Sequence, residues 1–222
     1  MGFPVIATSS RAVAESLGQR DHQQAPVAEM LAANVRVARA VSLPVTADLE
    51  GGYGLEPAVI VDWLIDNGIA GCNLEDTDYS GDSGLVDIDR QADYLRRFRL
   101  AAKARGVDLV LNARIDVYLH QQADSADLLN QIMDRATAYL AAGADCVFPI
   151  GIRSPEAIEM LVAQLAAPVN VLAYPQAPPP ATLAELGVAR ISLAGGLTQV
   201  AAGAIRGYLS DLLTGLGATE SP

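Results

Sequence analysis

The chain has 222 residues, 51% of them apolar, which is enough for one large domain with a substantial core. Its formal net charge of −11 argues against binding to nucleic acid or to an anionic membrane, because both attract basic surfaces. A single lysine, Lys103, and only two histidines, His22 and His120, argue against a Schiff base, a P-loop and a histidine-rich zinc site.

The cysteines and the N-terminus favour a cytoplasmic protein. Cys72 and Cys146 each open an apolar run, which is typical of buried structural thiols, and nothing indicates a disulfide scaffold. No basic segment precedes the first apolar run, and no stretch reaches the ~20 apolar residues needed to cross a bilayer. We therefore expect a cytoplasmic protein without a membrane segment.

Short apolar runs alternate with amphipathic segments along the whole chain. The runs show almost no polar alternation, which is typical of strands buried on both faces, and they span 4–9, 44–50, 71–76, 107–116, 145–150, 168–174 and 189–195. The amphipathic segments span 26–41, 57–68, 87–106, 125–143 and 154–165, and an amphipathic tail helix at 198–216 suggests a partner surface. Glycines such as Gly68 and Gly106 close helical segments just before the next strand.

Seven βα units in series predict an α/β fold, a TIM (β/α)8-type barrel formed as a single domain over residues 1–222. A closed barrel has eight strands, and the first unit here begins almost at Met1. We therefore expect the first strand and helix of the barrel to be missing, because of a late start codon or a truncated chain. Such a barrel would expose two unpaired strand edges.

Polar side chains follow four successive strands, at the end that forms the ligand site in such barrels. They are Ser9 and Ser10, Asp48 and Glu50, Glu75 and Asp76, and Arg114 and Asp116. Clustered carboxylates repel one another unless a cation lies among them, and oxygen ligands suit Mg²⁺. Gly51, Gly52 and Gly54 would let the backbone approach a ligand, and the guanidinium of Arg114 suits a carboxylate or an enolate oxygen.

Structural interpretations compete with this one. A glycine-rich turn after a strand is commonly only a turn, and an aspartate that closes a strand is frequently a helix N-cap. We expect Asp76, Asp78, Asp82 and Asp116 to be loop or capping residues rather than ligands. The set as a whole favours a site, because capping does not require acids at two neighbouring strand ends and an arginine at the third.

The motifs TSSRAVAESLGQRD, ADLEGGYG, CNLEDT, LNARIDVYL, GADCVFPIGI and LGVARISLAGG together resemble the isocitrate lyase/phosphoenolpyruvate mutase superfamily. The resemblance is closest to its phosphoenolpyruvate mutase-like branch and runs from residue 3 to about residue 205. It implies a TIM barrel, a homo-oligomer (dimer or tetramer) and a small 2-oxo or enol carboxylate as substrate. It also implies Mg²⁺ as the cofactor, with Mn²⁺ as an alternative.

The resemblance implies roles for individual residues. Asp48 matches the principal metal-site aspartate, and Glu50 stands where a second aspartate is common. Asp21 and Glu75 match acids that hold metal-bound waters, and Glu75 is also a catalytic candidate. The substrate-binding candidates are Ser9 and Ser10, on the loop that grips the substrate carboxylate, Gly51, and Arg114, which matches the arginine that stabilises the enolate.

Three functions remain open at this point. The first is a Mg²⁺-dependent lyase that cleaves a C–C bond of a small 2-oxo or 2-hydroxy carboxylate through an enolate. The loop 77–87 lacks the cysteine that acts as general acid in the family's lyases, so the proton would come from water, Tyr53 or Tyr79, with Tyr53 preferred. The second is P–C bond chemistry, as a phosphoenolpyruvate phosphonomutase or a phosphonopyruvate hydrolase, and the third is a catalytically weak ligand-binding relic.

Overall fold

In the computed structural model, which describes residues 2–80, 84–121, 126–173 and 177–216, a parallel sheet curls into a partial TIM-like barrel. The strands are β1 (Ile6–Ala7), β2 (Val45–Asp48), β3 (Gly71–Glu75), β4 (Thr77–Asp78), β5 (Gly84–Leu85), β6 (Val110–Ile115), β7 (Cys146–Pro149), β8 (Asn170–Leu172) and β9 (Arg190–Ser192). The order β1-β2-β3-β6-β7 forms one parallel sheet. A parallel bridge between Val147 and Val169 joins it to the parallel pair β8-β9.

Helices cover the outer face of this sheet. They are α1 (Ser10–Ser16), α2 (Val27–Ala40), α3 (Pro57–Asp66), α4 (Ile88–Ala104), α5 (Val117–His120), α6 (Ala126–Ala141), α7 (Pro155–Leu165), α8 (Pro180–Glu185) and α9 (Gly196–Gly215). Every second strand residue faces these helices, because side chains alternate along a strand. Leu74 and Leu111 pack there with Phe98 and Tyr139, all fully buried.

The predicted elements and their order are confirmed among the described residues. Each of the seven apolar runs contains one parallel strand, and each of the six amphipathic segments contains a helix whose ends differ by two residues or fewer. Sequence periodicity missed the antiparallel β4-β5 pair and the helices α1, α5 and α8, which are too short to show a period. The missing first strand and helix remain a prediction.

The last helix, α9, differs from the others in having no buried residue. Its large apolar side chains are 46% to 80% exposed; they are Leu197, Val200, Ile205, Tyr208, Leu209, Leu212, Leu213 and Leu216. No helix in the described part of the chain is both long and apolar enough to span a membrane.

Candidate active site

Arg114 lies at the centre of a buried charge cluster where β3 and β6 end. It is the register partner of Glu75, with which its Nη1 forms an ion pair. On the other side, its Nε donates to Asp116 Oδ1 at 2.7 Å and its Nη2 donates to Asp116 Oδ2 at 3.0 Å. Burial acts to lower the pKa of Arg114, but the charges of Glu75, Asp116 and Asp48 outweigh it and raise that pKa.

The guanidinium of Arg114 keeps donors for a ligand. A guanidinium carries five N–H groups, and three of them point at Glu75 and Asp116, so about two remain. The side chain is 11% exposed, so a ligand can reach it from the rim. The two flanking carboxylates fix the plane of the guanidinium before any ligand arrives.

Glu75 is buried and bound on both sides. Its Oε1 accepts a hydrogen bond from the Tyr79 hydroxyl, and its other oxygen faces Arg114. Burial raises the pKa of Glu75 well above its ordinary value, and the charges of Asp116 and Asp48 add to the rise against the opposing effect of Arg114. The partnership with Tyr79 was not predicted, because it depends on the conformation of the loop after β3.

Asp76 and Asp116 lie in loops, as predicted, but their side chains hold arginines rather than cap helices. Asp76 Oδ2 accepts from Arg135 Nη1 at 2.9 Å and from the Tyr139 hydroxyl at 2.8 Å, and Asp76 Oδ1 accepts from the Asp116 backbone N–H at 2.8 Å. Asp76 therefore supports the loop that carries Asp116. Asp78, predicted to be a loop or capping residue, instead ends the short strand β4, and its Oδ1 accepts from the Ser80 backbone N–H at 2.9 Å.

Asp82, the fourth of these aspartates, lies outside the described residues.

Asp48 ends β2 with one carboxylate oxygen satisfied and one unpaired. Its Oδ2 accepts from the Ser10 backbone N–H at 3.0 Å. Its Oδ1 is buried and accepts no hydrogen bond from any described residue. Because an unsatisfied buried carboxylate oxygen is costly, this atom is suited to a cation or an ordered water.

Glu50 lies two residues further on, in a strained loop. Its φ of 50° places it in the left-handed region, and its Oε2 accepts from the Gln23 backbone N–H at 2.6 Å. Burial raises the pKa of Glu50 to about 7, and the charges of Asp21 and Asp48 add to the rise. Asp21 has a buried Oδ1 that, like Asp48 Oδ1, has no partner among the described residues. These three acids therefore repel one another.

The arrangement suits a cation that keeps most of its bound waters rather than one ligated entirely by protein side chains. Within the described ranges no group of three or more His, Cys, Asp or Glu side chains is placed to ligate one metal ion. Mg²⁺, however, keeps several waters and is commonly bound through one or two carboxylates. The unpaired oxygens of Asp48 and Asp21 are suited to such an ion.

The remaining predicted residues follow β1 and β2 at the same rim. Ser9 caps α1, where its Oγ accepts from the Ala12 N–H at 3.4 Å. Gly51 packs closely, since a Cβ there would lie 2.8 Å from Gln23 Nε2 and 3.4 Å from the Tyr79 ring.

Ser10 offers its backbone N–H to Asp48 and is itself buried. Tyr53 is also buried, and its hydroxyl has no hydrogen-bond partner among the described residues. Burial, with the charges of Glu50 and Asp48, raises the pKa of Tyr53. The roles assigned to these residues remain predictions.

Known proteins resemble the chain over most of its length. The sequence model of the phosphoenolpyruvate phosphomutase family matches residues 1–213. A solved structure of a candidate phosphonomutase from Burkholderia cenocepacia J2315 is 40% identical, with a TM-score of 0.88, and the match covers 94% of this chain and 86% of that one.

Two characterised relatives share less sequence. Oxaloacetate decarboxylase from Pseudomonas fluorescens is 33% identical over 199 residues, which cover 85% of this chain and 65% of that protein. Oxaloacetate acetylhydrolase with the inhibitor 3,3-difluorooxalacetate is 25% identical with a TM-score of 0.84, and the match covers 100% of this chain and 77% of that one. A second structure of that enzyme holds the product oxalate.

Proposed function

Since the chain belongs to the phosphoenolpyruvate phosphomutase family, within the isocitrate lyase/phosphoenolpyruvate mutase superfamily of enzymes, we propose that it is a Mg²⁺-dependent carbon–carbon lyase. Its substrate is a small 2-oxo or 2-hydroxy carboxylate that is cleaved through an enolate. One observation carries the proposal: a guanidinium held between two carboxylates lies at the same rim as the unpaired Asp48 oxygen.

A divalent cation, when bound, supplies positive charge for the oxygen on which the enolate charge develops. Asp48 would hold it directly, and Asp21, Glu50 and Glu75 would hold its waters. The buried acids support this assignment, because burial raises the pKa of Glu50, the charges of Asp21 and Asp48 add to the rise, and a bound cation would offset both effects. The same oxygen donors would accept Mn²⁺.

Arg114 binds the substrate carboxylate or enolate oxygen through its two remaining N–H groups. Glu75 and Asp116 keep the guanidinium charged and oriented, so it needs no reorganisation during the reaction. A preorganised donor of this kind commonly contributes ~10²–10³ in rate. The final proton comes from water, Tyr53 or Tyr79, and Tyr53 remains our first choice because it directly follows the acidic motif and its buried hydroxyl has no partner among the described residues.

The 40% identity to a candidate phosphonomutase favours P–C bond chemistry as the second function. A phosphoryl group in transfer requires nearby cations. The described residues of the loop after β3, 77–80 and 84–87, contain no cation and add Asp78. We therefore place lyase chemistry first. Phosphorus NMR with phosphonopyruvate distinguishes the two functions, because only P–C chemistry changes its phosphorus resonance.

The test of the lyase proposal is a panel of 2-oxo and 2-hydroxy di- and tricarboxylates, assayed with Mg²⁺ and with EDTA. We expect Mg²⁺-dependent release of pyruvate, oxalate or CO₂ from at least one of them. Mg²⁺-dependent binding of oxalate without any turnover would instead favour the ligand-binding relic. A protein that neither turns over the panel nor binds oxalate with Mg²⁺ would refute the proposal.

We also propose that α9 packs against a second copy of the chain, so that the protein is a homodimer or a tetramer made of two such dimers. Ile191 and Leu193, on and after β9, are each 36% exposed, so the chain carries both an uncovered strand face and an uncovered apolar helix. A strand of a parallel sheet is normally covered on its outer face. Two copies can cover both surfaces reciprocally across a two-fold axis.

Analytical ultracentrifugation tests this assembly. Replacing Leu209 and Leu213 on α9 by glutamate should convert the oligomer to monomers, whereas Leu100→Glu on α4, which is 60% exposed, should not. A wild-type protein that sediments as a monomer would refute the assembly without affecting the lyase proposal.

A further inference from the structure

The interior of the barrel carries polar side chains on β8 and β9 as well as at the acidic rim. Barrel interiors are usually filled by branched apolar side chains. Here Asn170 on β8 and Arg190 on β9 are direct register partners. Val169 and Val171 belong to the apolar core beneath the helices, so Asn170 between them faces the interior.

Arg190 is a half-buried cation without a counter-ion among the described residues. None of the salt bridges and hydrogen bonds between described residues involves its guanidinium, and its Nη2 is a buried donor without an acceptor. Burial lowers the pKa of Arg190, while Cys146 and Asp48 act in the opposite direction. The electrostatic effect of Asp48 indicates that the guanidinium faces the interior towards the acidic rim.

Asn170 presents a second unpaired donor at the neighbouring position. The residue is fully buried, and its Oδ1 accepts from Ser192 Oγ at 3.0 Å, which turns the amide so that Nδ2 is free. That Nδ2 has no acceptor among the described residues. Arg190 Nη2, which is charged, and Asn170 Nδ2 are therefore buried donors on neighbouring residues, and neither has an acceptor among the described residues. This is unexpected in a protein with a net charge of −11, which has many carboxylates that could pair with them.

We propose that Arg190 and Asn170 form an anion site that holds a second carboxylate of the substrate, so that the enzyme is selective for dicarboxylates. The planar guanidinium can bind a carboxylate with two parallel hydrogen bonds, and the amide of Asn170 adds a third donor. The first carboxylate binds at Arg114 and the acidic rim. This inference rests on the proposed function, because it takes that rim as the place where the reacting end of the substrate binds.

Isothermal titration calorimetry in Mg²⁺ with three ligands tests the site. Oxalate is short enough to occupy the rim alone, 3,3-difluorooxaloacetate adds a distal carboxylate, and 3,3-difluoro-2-oxobutanoate replaces that carboxylate by a methyl group. The wild type should bind 3,3-difluorooxaloacetate at least about tenfold more tightly than 3,3-difluoro-2-oxobutanoate, because hydrogen bonds from Arg190 to the distal carboxylate involve charged groups and are strong. Arg190→Met should remove this preference and keep the oxalate affinity within about twofold.

Each of the other outcomes is decisive. The anion site is overturned if the wild type does not prefer 3,3-difluorooxaloacetate to 3,3-difluoro-2-oxobutanoate. It is also overturned if this preference persists in Arg190→Met. The anion site is also overturned if Arg190→Met loses affinity equally for oxalate and for 3,3-difluorooxaloacetate. Arg190 would then affect ligand binding at the rim indirectly, through the charge of Asp48. Failure of the wild type to bind oxalate refutes the proposed function instead, and the site with it.

Two further variants control for folding. Arg36→Met, an exposed arginine on α2, should leave all three affinities unchanged. If Arg190→Met does not fold, Arg190→Lys is the alternative, because it keeps the charge but loses the planar guanidinium that can form two parallel hydrogen bonds. This variant should show a smaller preference for 3,3-difluorooxaloacetate over 3,3-difluoro-2-oxobutanoate. In that case, a preference in Arg190→Lys as large as that of the wild type overturns the proposal.

Discussion

Glu50 should make the metal-free protein less stable as the pH rises. Its pKa is about 7 in the folded protein and 4.5 in the reference state. Between these values the folded state binds more protons than the unfolded state, so the free energy of unfolding falls as the pH rises and levels off above about pH 7. The full loss is about 3 kcal/mol, from ~1.4 kcal/mol per pKa unit.

Glu50→Gln removes this titration and should leave the variant more stable than the wild type at pH 8. For a domain of this size, 3 kcal/mol corresponds to a rise of about 6–12 °C in Tm. At pH 4.5 the wild-type carboxyl is already mostly neutral, so the two proteins should unfold at nearly the same temperature. The Gln23 N–H keeps an acceptor in the variant, because the glutamine carbonyl oxygen can replace Glu50 Oε2.

The assay is thermal unfolding by circular dichroism in EDTA at pH 4.5 and pH 8. Glu159→Gln, an exposed carboxylate on α7, serves as the matched control and should not change the dependence of Tm on pH. If the Tm difference between Glu50→Gln and the wild type is the same at both pH values, then neither burial nor repulsion from Asp21 and Asp48 perturbs Glu50 as we infer.

Three further predictions concern the rim and its support. Arg114→Met should lower kcat/KM by ~10²–10³ on any substrate identified, because a preorganised donor is lost, and steady-state kinetics on the folded variant would check this. Tyr53→Phe should lower kcat with little change in KM if Tyr53 delivers the proton, and an unchanged kcat would assign that step to water or Tyr79. Asp76→Asn should destabilise the fold by about 3 kcal/mol in urea unfolding, because Arg135 would lose its buried counter-ion. Asp78→Asn on β4 should not, because the Asp78 carboxylate accepts from Ser80 rather than from a buried arginine.

The order of the elements and the location of the rim could be predicted from the sequence. Apolar runs without polar alternation predicted buried parallel strands, and the amphipathic segments between them predicted the covering helices. Parallel strands place their carboxyl ends at one edge, so Asp48, Glu75 and Arg114 could be predicted to converge without any knowledge of side-chain conformation. These features are local and periodic, which is why a single sequence contains them.

The partner of each side chain at the rim was decided by the tertiary structure. Nothing in the sequence separates the Asp116 that holds Arg114 from an aspartate that caps a helix, because the difference lies in how the loop after β6 turns. Arg190 looked like an ordinary charge at the start of an apolar run, and its pairing with Asn170 depends on the register of β8 against β9. Register and loop conformation arise from long-range packing, so sequence periodicity located the rim, and only the fold determined which of its polar atoms are satisfied and which are left for a ligand.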